Sequence, residues 1–188
     1  MSEPRRIKVP FLQDVADSLK AGDAVLLSGT IYTARDAAHK RLLDALNKGE
    51  KSPVPLDGQL IYYVGPTPPK PGEPIGSAGP TTAIRMDSYM EPLFKHGLMA
   101  TMGKGQRSVA CAALHGQYKR VYFLAIGGAG AVLGKKVKAA RILAYDDLGT
   151  EAIRELVIED FPAVVCIDTH GTDACAVGRA KYARPAAV

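Results

Sequence analysis

Tryptophan is absent, and aromatic residues make up only 6% of the chain. With so few large rings, the interior is expected to rest on Ala, Val, Leu and Ile. Long apolar runs are missing too. No stretch approaches the ~20 residues that span a bilayer, and the opening Met-Ser-Glu-Pro-Arg-Arg has no apolar segment of a secretory signal behind it. Runs of Lys and Arg with interleaved aromatics are lacking, which argues against nucleic acid as a partner. Cysteine is scarce: Cys111, Cys166 and Cys175 are odd in number and widely spaced, and read as reduced thiols of a cytoplasmic protein.

What is present describes an ordinary globular chain. The 188 residues suffice for one domain over 1–188 with a full core. The apolar fraction is 47%, the charged fraction 23% and the net charge +5, a balance that suits a protein steering small acidic metabolites.

Periodicity divides the chain into alternating strands and helices. Phe11 to Leu19 is weakly amphipathic. Ala24 to Tyr32 reads as a buried strand with Gly29 at a bulge or close approach. Thr33-Ala-Arg-Asp36 resembles a capping box opening a helix with Ala38, Leu42, Ala45 and Leu46 on one face and Gly49 as its stop. Strands are expected over 60–64, 98–102, 121–126, 142–145, 156–159 and 163–168, and helices over 89–95, 106–115 and 131–140. The tail after about residue 171 reads as irregular. The alternation indicates an α/β layer architecture with a mixed or mostly parallel sheet.

The stretch Gly76-Ser-Ala-Gly-Pro-Thr-Thr-Ala-Ile-Arg-Met-Asp87 follows a long loop rich in Pro and Gly, and a loop of that length is more often functional than ornamental. Its spacing predicts a helix entered at Pro80, with Thr81 and Thr82 beside unpaired N–H groups and Arg85 one turn on. Such a turn receives an anion. Arg35 stands at a similar helix start, and Lys104 lies between two glycines at a strand-to-helix turn. Two arginines, which grip carboxylates bidentately, and one mobile lysine suit a small dicarboxylate held at both ends.

Competing signatures fail on spacing. Gly97 precedes Gly103-Lys104 by one residue too many for a nucleotide phosphate loop, and Gly105 stands where its hydroxyl belongs. Neither Gly103-x-Gly105 nor Gly128-x-Gly130 is completed as a dinucleotide fingerprint, so Gly127 to Gly130 is read as permitting tight turning and close packing. Cys166, His170 and Cys175 have loose metal-ligand spacing, but Cys166 lies in an apolar strand and no fourth ligand is near; no metal site is assigned. His39 follows Arg35 on the same helix and faces either the site or the solvent.

Taken jointly, Ser28-Gly-Thr-Ile-Tyr-Thr-Ala-Arg-Asp-Ala-Ala-His39, Gly79-Pro-Thr-Thr-Ala-Ile-Arg-Met-Asp87 and Met102-Gly-Lys-Gly105 resemble the β subunit, or C-terminal domain, of class I iron–sulfur hydro-lyases: fumarate hydratases and L-tartrate dehydratases. Leu156-Val-Ile-Glu-Asp-Phe-Pro-Ala163 fits the same pattern, so the likeness covers nearly the whole chain. The resemblance implies a swivelling β/β/α domain with a central mixed sheet flanked by helices. It implies a partner α subunit whose three cysteines hold a four-iron, four-sulfur cluster with one iron open as a Lewis acid, and no cofactor on this chain alone. It assigns Arg35, Arg85 and Lys104 to the substrate carboxylates and Thr81 to proton abstraction, with activation by a carboxylate from the partner. Thr82, Asp87 and His39 would support them. The implied reaction is reversible hydration of fumarate to L-malate. Dehydration of L-tartrate or hydration of a methylated fumarate (mesaconate) is the sister alternative, and a non-catalytic dicarboxylate-binding or assembly domain the alternative of another class.

Overall fold

The structure is a computed structural model and describes residues 3–184. Its strands are β1 (Arg5–Val9), β2 (Ala24–Thr33), β3 (Leu60–Tyr62), β4 (Ala100–Gly103), β5 (Val121–Leu124), β6 (Val137–Ala144) and β7 (Ile153–Ile167). Its α-helices are α1 (Gln13–Asp17), α2 (Asp36–Asn47), α3 (Met90–Lys95), α4 (Val109–Tyr118), α5 (Gly130–Gly134) and α6 (Ala174–Tyr182). Two 3-10 segments, Ala83–Tyr89 and Asp146–Glu151, complete the elements.

Two long strands, β2 and β7, run antiparallel along most of their length. On its other side β2 pairs in parallel with β1 and then β3, and the parallel succession β3, β4, β5 returns to β7. Strands β2, β3, β4, β5 and β7 thus close a ring, with β1 and β6 as lateral additions. Inward-facing residues such as Leu27, Ile31, Tyr62, Met102, Phe123, Phe161 and Val165 form one apolar cluster, joined by Ala16 and Leu19 of the α1 region and Leu133 of α5. The alternate residues Tyr32, Ile61, Tyr63 and Tyr122 face outward and pack under α2, α3 and α4. This is a central mixed sheet flanked by helices, built on the period-2 alternation of its strands.

Several expectations are corrected. The largest fully buried side chains are Tyr62, Tyr63, Tyr122, Phe94, Phe123 and Phe161, so the few rings fill the core. The segment expected to be helical to Ala140 ends at Gly134, because residues 137–144 pair with β7; tertiary pairing overrides the helix propensity of Lys and Ala. The strands expected at 156–159 and 163–168 are one: Asp160 takes a left-handed φ of 45° inside it, gives its N–H to Ser28 Oγ at 2.9 Å, and the strand runs on. The tail expected to be irregular carries α6, whose start is capped by the Asp173 carboxylate accepting from the N–H groups of Cys175 and Ala176. Strand β1 was not expected; only Ile7 and Val9 of its five residues are buried. Gly29 sits at a φ of +130°, beside a register shift between β2 and β7, where the carbonyl oxygen of Val9 occupies the space of a side chain.

Candidate active site

Parallel strands β2, β3 and β4 end side by side, and the chain beyond their carboxyl ends is where ligands of α/β sheets bind. The Pro80–Thr82 segment is laid across this rim. Pro80 bridges Val64, Thr82 bridges Lys104, the Thr81 N–H donates to Tyr63 O at 2.7 Å, and the Ala83 N–H donates to Lys104 O at 2.9 Å. Thr81 and Thr82 are therefore extended chain, not the first turn of a helix, and the Thr81 N–H is already committed to the sheet. The 3-10 segment begins only at Ala83, with Arg85 within it. Pairing with β4 accounts for the difference: the extended segment completes backbone hydrogen bonds that the strand ends would otherwise leave open.

The cations of the rim differ in what they meet. Lys104 is exposed and has no ion pair among the described residues. Arg85 is bidentate with Asp36, at 2.9 Å from Nε and 2.7 Å from Nη2. Arg35 lies 3.4 Å from Glu151 through Nη2, while its buried Nε has no hydrogen-bond partner. Asp36 follows Arg35 in the chain, so the pair sets Arg85 beside the start of α2, while the Thr82–Lys104 bridge sets Lys104 beside the segment that leads to Arg85. Thr33, expected as a capping residue, is instead the buried end of β2: its hydroxyl donates to Ala152 O and accepts the Arg154 N–H. Arg35 is the N-cap of α2, and the anion at that helix start is Glu151, which accepts the Ala37 N–H at 2.9 Å. Thr81 and Thr82 are half-buried, and neither hydroxyl bonds to the chain among the described residues.

Beneath the rim lies an arginine that sequence reasoning missed. The Arg107 side chain is 0% exposed. It donates to Ala83 O (2.8 Å), Asp87 Oδ1 (2.8 Å), Tyr63 Oη (2.6 Å) and Thr101 Oγ1 (3.0 Å). Its guanidinium lies over the rings of Tyr63 and Tyr122, at 5.1 and 4.8 Å from their centroids. Asp87 accepts the Ser108 N–H with its other oxygen, tying the 3-10 segment to the start of α4. Nothing in the local sequence separates Arg107 from a surface charge; only the fold surrounds it.

His39 is fully buried, which excludes a solvent-facing position. It stacks on Tyr89 and meets Tyr63 edge-on, and its Nδ1–H donates to Arg35 O at 2.9 Å. Burial lowers its pKa to about 4; the hydrogen bond to the Arg35 carbonyl opposes this in part, and the nearby Arg107 charge adds a smaller lowering. His115 is buried beyond Tyr122 in the same manner, and burial holds its pKa down at about 3. Both rings are therefore neutral flanks to the Arg107 charge.

Other features lie away from the rim. A groove of about 440 Å³ runs between Pro66, Ile75, Ile142 and Arg154 and contains none of the seven expected site residues. The turn after β5 packs close to the Pro-rich loop: Ala78 N–H donates to Gly130 O at 2.9 Å, and a side chain on Gly130 would strike Gly79. Among the described residues, no helix is long and apolar enough to cross a membrane. Cys111 and Cys166 are each 2% exposed within packed core, and neither opens onto the rim.

Such an edge, cationic and bearing unclaimed hydroxyls, belongs to a mixed α/β domain. Residues 3–177 match the family described as the fumarase C-terminus, and the chain belongs to that family. It is 41% identical over 149 residues to the anaerobic class I fumarate hydratase of Escherichia coli strain K12, covering 78% of this chain and 27% of that protein. It is 39% identical over 154 residues to fumarate hydratase 2 of Leishmania major, covering 81% and 27%. It is 38% identical over 159 residues to a putative L(+)-tartrate dehydratase β subunit of Methanocaldococcus jannaschii, covering 81% of this chain and 82% of that one. The chain thus spans about a quarter of the fumarate hydratases and most of the tartrate dehydratase subunit.

Proposed function

We propose that the chain is the carboxylate-binding half of a class I hydro-lyase that reversibly hydrates fumarate to L-malate together with a second, cluster-bearing α subunit. The observation that supports this reading is the rim beyond the ends of three parallel strands, where Thr82 bridges Lys104 and Arg85 pairs with Asp36, the neighbour of Arg35. Lys104 offers a charge with no competing carboxylate among the described residues, and Arg85 keeps Nη1 available after its pair with Asp36. A four-carbon diacid bound there is held by its ends, with Thr82 beside it. The Thr81 hydroxyl serves the proton at the carbon next to a carboxylate, once a carboxylate of the partner deprotonates it. Asp87 and His39 act at one remove, through Arg107 and through the Arg35 carbonyl.

The thiols of this chain do not fit a four-iron, four-sulfur cluster. Cys111 and Cys166 are enclosed in packed core and only Cys175 is partly exposed, which supports placing the cluster on the α subunit. The unpaired thiols support a cytoplasmic location for the pair. The match over 82% of a putative L(+)-tartrate dehydratase β subunit supports the two-subunit organisation and keeps L-tartrate as the second substrate reading.

The test is reconstitution with the protein encoded by the neighbouring reading frame, followed by steady-state comparison of fumarate, mesaconate and L-tartrate. The highest kcat/KM is expected for fumarate. A preference for L-tartrate would select the sister activity. Failure on all three, with tight binding of malate by this chain alone, would replace the enzyme with a dicarboxylate-binding domain.

A further inference from the structure

The two thiols outside the rim are placed for a reaction with each other. The turn from β7 to α6 is closed by an Ile167–Asp173 bridge. The Asp168 carboxylate also accepts the N–H groups of His170 and Thr172, each at 3.0 Å, and that of Ala21 at 3.1 Å. This fixed turn sets Cys166 of β7 beside Cys175 in the first turn of α6, with Sγ atoms 3.4 Å apart. Cys166 is buried, Cys175 is half-buried, and α6 has no buried residue of its own. An exposed hydrogen bond from Arg179 to Gln106 links α6 to the turn that follows Lys104.

A metal between the two sulfurs fits less well. The third candidate ligand, Asp173, already caps α6 with Oδ1.

We propose that Cys175 and Cys166 form a reversible oxidation site, in which a small-molecule disulfide converts them to an intrachain disulfide that fastens α6 to β7. The Cys175 thiolate attacks one sulfur of the reagent and expels a thiolate, leaving a mixed disulfide on Cys175. Cys166 then loses its proton to solvent, attacks Cys175 Sγ and expels the second thiol. Two protein thiols are oxidised and one disulfide is reduced to two thiols. Burial raises the Cys166 pKa, and its neighbour Cys175 raises it further, which slows closure.

The experiment exposes the full chain to oxidised glutathione and follows free thiols, intact mass and peptide maps. Three free thiols should fall to one, with a mass loss of about 2 Da, a Cys166–Cys175 peptide and reversal by dithiothreitol, while buried Cys111 stays reduced. Cys166→Ser should accumulate a glutathione adduct on Cys175 instead. An adduct on the unsubstituted chain that never closes, a disulfide involving Cys111, or no reaction under conditions that oxidise a free dithiol would overturn the proposal. So would stoichiometric zinc binding that blocks oxidation of both thiols.

Discussion

Arg85 and Arg107 serve the same short segment from opposite sides. Arg85 stands on the outside of the 83–89 turn, half exposed and held by one aspartate at the surface. Arg107 enters from beneath, fully enclosed, bonding a carbonyl, a carboxylate, a phenol and a threonine between two tyrosine rings. The contrast separates two uses of one residue type. A buried charge surrounded by fixed acceptors holds a fold in place, because removing either partner strands the other. An exposed charge with a single surface partner contributes little stability and remains available to a ligand.

Acid should strain this contrast most. His39 and His115 flank the Arg107 system and are held neutral by burial, down to about pH 4 and about pH 3. The unfolded chain takes up these protons near the ordinary value of 6.5, so between 6.5 and 4 it binds more protons than the folded one. Stability is thus complete above about 6.5 and declines as pH falls, by up to about 3 kcal/mol for His39 at the 1.36 kcal/mol per pKa unit of linkage. Urea midpoints measured from pH 7.5 to 4.5 check this, and His39→Gln should flatten the slope. Comparable in size, Arg107→Met should cost about 3–5 kcal/mol by leaving Asp87 unpaired, read as a lowered urea midpoint with or without partner.

The rim should answer in the opposite manner. Lys104→Met is expected to lower kcat/KM of the reconstituted pair at least about a hundredfold, ~2.7 kcal/mol of transition-state stabilisation, with an unchanged urea midpoint. A fallen midpoint with unchanged turnover would reverse the two roles. The smallest effect is expected at the surface pair: Asp36→Asn should change stability by less than about 1 kcal/mol, and a larger loss would make Arg85 a second structural arginine.

Much of the frame was legible because buried strands announce themselves: Ala24 to Tyr32 and Val121 to Ile126 are apolar runs, and Gly29 interrupts the first where the backbone of β1 comes close. The cationic corners were expected from Gly, Pro and Thr beside Arg or Lys, but the helix starts expected at Thr33 and Thr81 are extended chain. What escaped was set by distant partners. Strand β6 is extended because β7 pairs with it, and α2 receives its anion from Glu151, 114 residues beyond Ala37. Arg107 looks like any surface cation until Tyr63, Asp87 and Tyr122 enclose it. Helix α6 had a local sign in Asp173, whose carboxylate caps it, but no apolar stripe to confirm it.

Asp36 and Glu151 give the rim a further property. Each is a tethered rival, already seated on the guanidinium that a visiting diacid would seek. Its effective concentration is high because the chain itself delivers it. The arginines thus stay aimed while idle, and any free acid must displace or share with a resident before it is gripped. On the proposed function, capture would be softened and release hastened, favouring traffic in both directions over tight storage.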